Sequence, residues 1–240
     1  MTVLELECVT RVYGSGHLRV AAVDNVSLRV RAGEFVAVMG PSGSGKSTLL
    51  RLAGGLDRVT SGRVLLSGRD LASLDEDGLA TVRRRQVGFV FQEANLLPAL
   101  TAAENVALAL ELDGVKPKAA MTGARDLLDW LGLAPVGNVF PSQLSGGEQQ
   151  RVAIARAVIG GRSLLLADEP TGALDAITGE SVMGLLGQRC AAGCAVVLVT
   201  HNVRHAARAD RVMFLNDGRL AGEAAPPAGP ESLLGTEQDR

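Results

Sequence analysis

The sequence has almost no excess of charge of either sign. Its 240 residues contain 24 lysines and arginines against 26 aspartates and glutamates, which gives a formal net charge of -2. The longest block of like charges is Arg83-Arg84-Arg85. Surfaces that bind nucleic acid are normally strongly basic, so we expect no nucleic-acid partner.

Long hydrophobic runs are also missing. A membrane-spanning helix needs about 18–20 consecutive apolar residues, and no run in the sequence approaches that length. Residues 1–5 lack the basic segment, followed by an apolar one, that begins a secretory leader. We therefore expect the chain to stay in the cytosol.

Cysteine is scarce, with Cys8, Cys190 and Cys194 as the full set. Their number is odd, and their spacing does not match that of metal ligands. This pattern argues against a disulfide framework and against a zinc site. We predict free, buried thiols.

The sequence is instead rich in apolar residues, at 47%, with 21% charged residues, which is ample for a buried core. Alternating runs at 3–7 and 26–30 predict an antiparallel edge sheet. Short, continuous apolar runs predict parallel strands covered by helices on both faces, at 35–39, 87–91, 164–167 and 195–199. The fold class predicted is α/β with a doubly wound core, whose phosphate ligands bind at the carboxyl ends of the strands.

Between about residues 93 and 160 the pattern becomes helical. Residues 101–104 form a capping-box pattern, and residues 122–131 predict a second helix closed by Gly132. We interpret this region as a helical insertion into the core. Near the end, Asp217-Gly218 predicts a hairpin turn, and the stretch 224–230, rich in Pro, Gly and Ala, predicts a loosely ordered tail.

The stretch GPSGSGKST, residues 40–48, follows an apolar run and precedes a helical pattern. This is the P-loop arrangement, in which glycines let backbone N–H groups point at phosphates. Lys46 is expected at the β- and γ-phosphates, and the Ser47 hydroxyl at Mg²⁺. A flexible Gly/Ser-rich loop is the alternative, and the flanking strand and helix argue against it.

Two carboxylates, Asp168 and Glu169, directly follow the apolar run 164–167. Because side chains alternate along a strand, the two acids can divide their work. Asp168 is expected to face Mg²⁺ through a water, and Glu169 to face the water that attacks the γ-phosphorus. Taken without the P-loop, a solvated acidic turn is the better interpretation.

The segment LSGGEQQ, residues 144–150, combines capping-box spacing between Ser145 and Glu148 with two glycines at the start of a helix predicted over 151–159. With the P-loop before it and the acidic pair after it, this segment resembles the signature sequence of ATP-binding-cassette (ABC) ATPases. The remaining landmarks of that family follow in order. Tyr13 resembles the adenine-stacking aromatic, Gln92 the Q-loop, residues 172–175 the D-loop and His201 the H-loop switch.

The resemblance covers residues 1–222 and implies a P-loop NTPase cassette. Its expected parts are a RecA-like parallel core, an antiparallel β subdomain and a helical subdomain at about 93–160, followed by a tail at 223–240. A lone Gln or His at a strand end is most often structural. The ordered set of motifs favours functional roles for Gln92 and His201.

In the family, two cassettes pair head to tail, and each ATP lies between the P-loop of one copy and the signature of the other. The resemblance implies that Ser145 and Gly147 contact a γ-phosphate bound by Lys46 of a second copy. Catalytic roles are implied for Lys46, Gln92, Glu169 and His201. Nucleotide contacts are implied for Tyr13, Gly40, Ser42, Gly43, Ser44, Gly45, Lys46, Ser47, Thr48, Ser145, Gly147 and Asp175. Magnesium contacts are implied for Ser47, Gln92 and Asp168.

Within the family, the sequence resembles the branch of lipoprotein-releasing and macrolide-efflux ATPases, whose partners are FtsX/MacB-type permeases. The residues that indicate this branch are 13–17, 95–106 and 166–172. The resemblance implies ATP and Mg²⁺ as ligands, an integral-membrane permease as a separate chain, and a location at the cytoplasmic face of the membrane. The expected work is export, or extraction of a lipoprotein, lipid or peptide.

Three positions depart from that pattern: Ala173, where Asn is usual, Asn202, where Asp is common, and 160–162, where a Pro-containing loop is common. None of them removes a catalytic group, but they weaken any analogy of substrate. Two alternatives stay open, a force-transmitting ATPase of the cell-division type and an ABC ATPase that acts on DNA or ribosomes.

The apolar segment 96–100 lies in the region, roughly 92–138, that resembles the groove for a coupling helix of the permease. An apolar cluster on a loop is either core or interface. We expect Leu97 to lie in that interface. The alternative is that these leucines only seal the helical insertion against the core.

Overall fold

The computed structural model describes residues 1–225 of the chain. The strands in this part are β1 Thr2–Tyr13, β2 Val20–Arg31, β3 Phe35–Met39, β4 Ser61–Leu66, β5 Arg69–Asp70, β6 Val87–Val90, β7 Leu164–Asp168, β8 Ala195–Val199, β9 Arg211–Asn216 and β10 Arg219–Ala224. The helices are α1 Lys46–Ala53, α2 Glu76–Gln86, α3 Ala102–Leu112, α4 Pro117–Trp130, α5 Gly146–Val158, α6 Ala176–Ala191 and α7 Val203–Ala206.

The strands form two sheets, as the sequence predicts. The main sheet has the order β10-β9-β3-β8-β7-β6, with all pairings parallel except that of β10 with β9. The second sheet is antiparallel, in the order β2-β1-β4-β5. The predicted α/β class, with a parallel core and an antiparallel edge sheet, is confirmed.

Hydrophobic cores cover both faces of the main sheet. In β3, Ala37 packs in the core shared with α3, α4, α5 and α6. Its neighbours Val36 and Val38 pack in the core shared with α1, β1 and β2. Because side chains alternate between the two faces, a strand buried on both sides needs an unbroken apolar run. The fold thereby fixes the carboxyl ends of β3, β6, β7 and β8 along one edge.

The helix starts follow local capping chemistry. The capping box at Thr101 and Glu104 is present at the start of α3, and the one at Ser145 and Glu148 starts α5 at Gly146, five residues before the helix predicted over 151–159. Helix α4 also begins earlier than predicted, with Pro117 in its first turn. Proline is favoured there because the first turn needs no donor from its N–H.

The hairpin of β9 and β10 turns at Asp217 and Gly218, both with positive φ, as the turn pair predicts. Strand β10 runs to Ala224, and the predicted tail beyond 225 lies outside the described residues. The division of the chain at 222 and the limits 93–160 of the helical subdomain stay predictions. No helix in the part of the chain from 1 to 225 combines the length and the apolar character needed to cross a membrane.

The cysteines fulfil the prediction in part. Cys190 and Cys194 are buried and free, and burial raises the pKa of each thiol to about 11. Cys8 is free but exposed, so the prediction of a buried thiol is wrong there. Cys8 lies at a break in the β1–β2 register, and its φ is 48°. At such a break the side chains no longer alternate regularly between the two faces of the sheet.

Candidate active site

Four parallel strands deliver the predicted catalytic residues to a single cleft of about 670 Å³. The P-loop follows β3, Gln92 follows β6, Asp168 and Glu169 end β7, and His201 follows β8. Carboxyl ends of parallel strands lie at the same edge of a sheet. The lining therefore brings together, from the residues predicted for the site, Gly40, Ser42, Gly43, Gly45, Lys46, Ser47, Thr48, Gln92, Asp168, Glu169 and His201.

The glycines of the P-loop have different roles. A Cβ on Gly40 would lie 2.0 Å from the Leu215 carbonyl oxygen, and one on Gly45 would lie 1.9 Å from that of Ala22. Glycine is required at both positions because the backbone approaches its neighbours closely. Gly43 has a φ of 82° and nothing within 4 Å of its Cβ position. The loop is thus packed on its outer side and open at Gly43, as a phosphate cradle requires.

Polar groups of the P-loop point to an anion. Lys46 opens α1, and its Nζ donates to the carbonyl oxygens of Gly40 and Pro41 at 2.8 Å each. An ammonium group carries three protons, so one donor remains after these contacts. Burial lowers the pKa of Lys46, and the negative charges of Glu169 and Asp168 act against that shift. The Ser44 hydroxyl is buried without a hydrogen-bond partner in the described part of the chain.

Ser47 and Asp168 form the pair that fits Mg²⁺. Burial raises the pKa of Asp168, the hydrogen bond from Ser47 opposes this, and the charge of Glu169 raises it further. Within residues 1–225, no group of three or more His, Cys, Asp or Glu could hold a metal ion by itself. Protein sites for Mg²⁺ combine one or two carboxylates with substrate phosphates and water, which matches this donor set.

Glu169 is bound to the H-loop from three directions. Its Oε1 accepts the backbone N–H of His201 at 2.9 Å and lies 2.7 Å from the His201 Nδ1, and its Oε2 accepts the Thr200 hydroxyl at 3.3 Å. The backbone of Glu169 has a φ of 46°, which is unusual for a residue with a side chain. These contacts hold the carboxylate in one direction over the cleft.

Two side chains of α5 hold the segment around Gln92. The amide of Gln150, which is buried, donates to the Phe91 carbonyl oxygen at 3.0 Å. The guanidinium of Arg156 donates to the carbonyl oxygens of Ala94 and Asn95 at 2.9 and 2.8 Å. The helix that begins at the signature thereby fixes the backbone on both sides of Gln92.

The loop after the Q-loop is held by a fully buried asparagine. Asn105 Oδ1 accepts the N–H of Leu97, and Nδ2 donates to the carbonyl oxygens of Leu97, Leu100 and Thr101. Leu97 itself is 45% exposed, whereas Leu96 packs against the core. The backbone of the loop is therefore rigid while the Leu97 side chain faces outward.

Ser145, Gly147 and Asp175 do not line the cleft. The Ser145 hydroxyl is exposed and forms the capping box with Glu148. The nearest atom to a Cβ on Gly147 would be the Ala173 carbonyl oxygen at 3.5 Å. Asp175 caps α6 by accepting the N–H of Thr178 at 3.0 Å. The signature residues and Asp175 thus lie outside the cleft, whereas Gly172 and Ala173 of the D-loop are part of its lining.

Tyr13 also lies outside the lining of the cleft, at the end of β1. Tyr13 is 38% exposed, and its hydroxyl donates to Asp57 Oδ2 at 2.9 Å. Tyr13 pairs with Val20 on β2. Ala22, which lines the cleft, lies two residues further along that strand, at a distance of about 7 Å from Val20. Tyr13 therefore lies on the strand paired with β2, which contributes Ala22 to the lining of the cleft.

The structural roles of several residues that organise this site are not predicted by the sequence. Gln150, Arg156 and Asn105 act on backbone carbonyls that only the fold brings near them. His205 is another: it is buried, and its Nδ1 lies 3.1 Å from the Thr171 hydroxyl, which follows the acidic pair. The one available signal was that Gln150 is the last residue of the signature segment 144–150.

Comparison with known proteins agrees with this geometry. The family model described as "ABC transporter" matches residues 23–172. The macrolide export ATP-binding/permease protein MacB of Salmonella choleraesuis (strain SC-B67) is 49% identical over 225 residues, 94% of this chain and 34% of that protein. MacB of Hyphomonas neptunium is 46% identical over 221 residues, 92% of this chain and 34% of that protein. The chain thus spans about a third of the length of these relatives.

A solved structure shares the fold over the same length. It is described as the dimeric post-hydrolysis state of the ATP-binding cassette MJ0796, bound to ADP and Pi. The identity is 42% and the TM-score 0.89, covering 94% of this chain and all of that one. From the family match, the identities and the fold together, we conclude that the chain belongs to the ABC transporter family, as one of its ATP-binding cassettes.

Proposed function

We propose that the chain hydrolyses ATP as the nucleotide-binding subunit of an ABC transport complex. The observation that carries this proposal is the convergence of β3, β6, β7 and β8, whose ends bring a phosphate cradle, two carboxylates, a glutamine and a histidine to one cleft. Phosphoryl transfer needs positioning and charge neutralisation rather than a protein nucleophile. This set of residues supplies both.

Each residue has a part in the reaction. Backbone N–H groups around Gly43 and the Lys46 ammonium bind the β- and γ-phosphates. Glu169 orients the attacking water and accepts its proton, and His201 holds both Glu169 and the γ-phosphate. Gln92 contacts the water and the metal.

Ser47 and Asp168 would hold Mg²⁺, and the ion would neutralise phosphate charge when it is bound. The phosphates of ATP complete the set of donors. Tyr13 stacks on the adenine at the outer end of the cleft.

A second copy of the chain completes the site. Ser145 is exposed, Gly147 is half-buried, and neither lines its own cleft, which suits contacts to a γ-phosphate held by the other copy. The related cassette MJ0796 is described as dimeric. Head-to-tail pairing closes two equivalent sites together, with Asp175 near the contact between copies. Loss of the γ-phosphate on hydrolysis removes the bridging contacts, and the dimer reopens.

An integral-membrane permease of the FtsX/MacB type, made as a separate chain, is the proposed partner. The relatives named for macrolide export join ATP-binding and permease functions in one protein, and this chain matches their cassette part. Docked to its permease, the subunit lies at the cytoplasmic face of the membrane and powers export or extraction of a lipid, lipoprotein or peptide. The permease selects the cargo.

Phosphate release from ATP is the direct test. The wild-type chain is expected to release phosphate in the presence of Mg²⁺, and Lys46→Ala to bind ATP more weakly because a charge-assisted phosphate contact is lost. Lys118→Ala is the matched control, because it removes an exposed lysine from α4. Unchanged ATP affinity in Lys46→Ala, measured by equilibrium dialysis, would refute the proposed role of the P-loop.

A further inference from the structure

The ring of Tyr13 is held by a network of charged side chains. Its hydroxyl donates to Asp57, and Asp57 is fixed in turn by Arg51, whose Nε and Nη2 lie 2.8 and 3.1 Å from the two carboxylate oxygens. The bonds from Arg51 and Tyr13 lower the pKa of Asp57. The carboxylate is thus a fixed acceptor for the phenol.

A guanidinium covers one face of the same ring. The Cζ of Arg11 lies 4.6 Å from the centroid of the Tyr13 ring, within the range of a cation–π contact. Arg11 and Tyr13 lie on the same face of β1 because they are two residues apart. The Arg11 Nη1 donates to the carbonyl oxygen of Arg58 at 2.9 Å. Arg11 is therefore tied to the backbone of the residue next to Asp57.

The backbone under the ring is fixed as well. The N–H of Val12 donates to the hydroxyl of Thr60 at 3.0 Å, and the N–H of Thr60 donates to the Thr10 carbonyl oxygen at 2.8 Å. The segment 57–60 thus accepts three hydrogen bonds from β1, donated by the phenol, the guanidinium and one backbone N–H. Its hydroxyl is bonded and one face is covered, and Tyr13 as a whole is still 38% exposed, which leaves part of its surface for a ligand.

We propose that Arg11 and Asp57 are positioning residues for the nucleotide base: they hold Tyr13 so that its free face meets the base of ATP. The inference rests on the proposed function, because it assumes that nucleotide binds at the P-loop. A base stacks on an aromatic ring with little dependence on its hydrogen-bonding edge. A ring already fixed in place loses little freedom when the base arrives, which favours binding.

Comparing a ligand that carries a base with one that lacks it separates this role from a structural one. ATP and ribose 5-triphosphate carry the same phosphates, and only ATP carries a base. Removing a positioning residue for the base weakens binding of ATP alone. General damage to the fold or to the P-loop weakens binding of both.

The experiment measures equilibrium binding of ATP and of ribose 5-triphosphate, each with Mg²⁺, to the wild-type chain, Arg11→Met and Tyr13→Phe. Arg11→Met keeps the length of the side chain and removes the cation. Tyr13→Phe keeps the ring and removes the bond to Asp57. The control is Arg63→Met, because Arg63 is an exposed arginine of the same sheet that pairs with Glu7.

A spectroscopic signal accompanies the binding data. Tyr13 is the single tyrosine in the sequence, so labelling with 3-fluorotyrosine gives one ¹⁹F resonance from this ring. We expect that resonance to shift on addition of ATP and to stay in place on addition of ribose 5-triphosphate. In Arg11→Met the resonance of the free protein should already be displaced, because the guanidinium over the ring is gone.

For Arg11→Met we expect about two- to fivefold weaker binding of ATP, the size of an exposed cation–π contact. Binding of ribose 5-triphosphate should be unchanged in both variants, and Arg63→Met should bind both ligands as the wild type does. Equal ATP affinity of Arg11→Met and wild type, or equal weakening of the two ligands, would overturn the inference. Failure of the wild-type chain to bind either ligand would instead refute the proposed function.

Discussion

Glu169 and His201 are joined by a contact of 2.7 Å between Oε1 and Nδ1. The same carboxylate oxygen also accepts the His201 backbone N–H, so the ring and the loop are held by one group. The His201 side chain is 78% exposed and the Glu169 side chain 16% exposed. The histidine thus presents its outer edge to the cleft while it keeps the carboxylate aligned.

His201→Ala tests this relationship. We expect phosphate release to fall about 10- to 100-fold, because a hydrogen bond to a charged group is lost. ATP affinity should change much less, since the P-loop is intact. Arg204→Ala is the control, because it removes an exposed side chain from the segment that follows. An unchanged rate of phosphate release in His201→Ala would show that Glu169 does not depend on this contact.

Leu97→Asp tests the proposed docking of a permease. Leu97 is 45% exposed on a loop whose backbone is held by Asn105, so the substitution should leave folding and ATP binding intact. Docking would have to desolvate the new charge, and we expect loss of co-purification with the permease and of its effect on ATP hydrolysis.

Leu96→Asp provides the contrast within the same loop. Leu96 packs against the core, so this variant should unfold at a lower temperature. Wild-type yield of the complex of Leu97→Asp with its permease, with full stimulation of phosphate release, would show that docking occurs elsewhere.

The buried His205 predicts a dependence of stability on pH. Burial lowers the pKa of His205 below its ordinary value, so the unfolded chain takes up a proton at a higher pH than the folded chain does. The free energy of unfolding should therefore fall as the pH drops from about 7 through the ordinary histidine range.

Chemical denaturation at several pH values measures this effect. His205→Gln keeps a polar group near Thr171 that does not titrate in this range. Its free energy of unfolding should therefore depend less steeply on pH, and the difference in slope should correspond to at most one proton. The charged side chains of Glu180 and Arg208, which face His205, are unchanged in this comparison. Identical slopes for the two proteins would assign the pH dependence to other groups.

The parts of this molecule that the sequence predicts are those with local causes. The P-loop is recognised because its glycines are required by close backbone approaches at Gly40 and Gly45. The central strands are recognised because burial on both faces demands an unbroken apolar run, as in β3 and β8. The start of α3 is recognised because Thr101 and Glu104 satisfy each other's backbone donors.

The parts that the sequence does not predict depend on contacts across long stretches of chain. Gln150 reaches the Phe91 carbonyl across 59 residues, and Arg11 reaches that of Arg58 across 47. Such contacts form because the sheet order brings distant segments together, and no periodicity records them. Cys8 illustrates the same limit, since its exposure follows from a register break between β1 and β2.

Glu169→Gln tests whether this carboxylate is the base for ATP hydrolysis, because it keeps the size of the side chain and removes the base. We expect phosphate release to fall about a hundredfold or more, the usual size of a general-base contribution, while ATP binding is retained. Light scattering of this variant should then give the mass of two chains with ATP and of one chain without it. Near-normal phosphate release by Glu169→Gln would show that Glu169 is not the base.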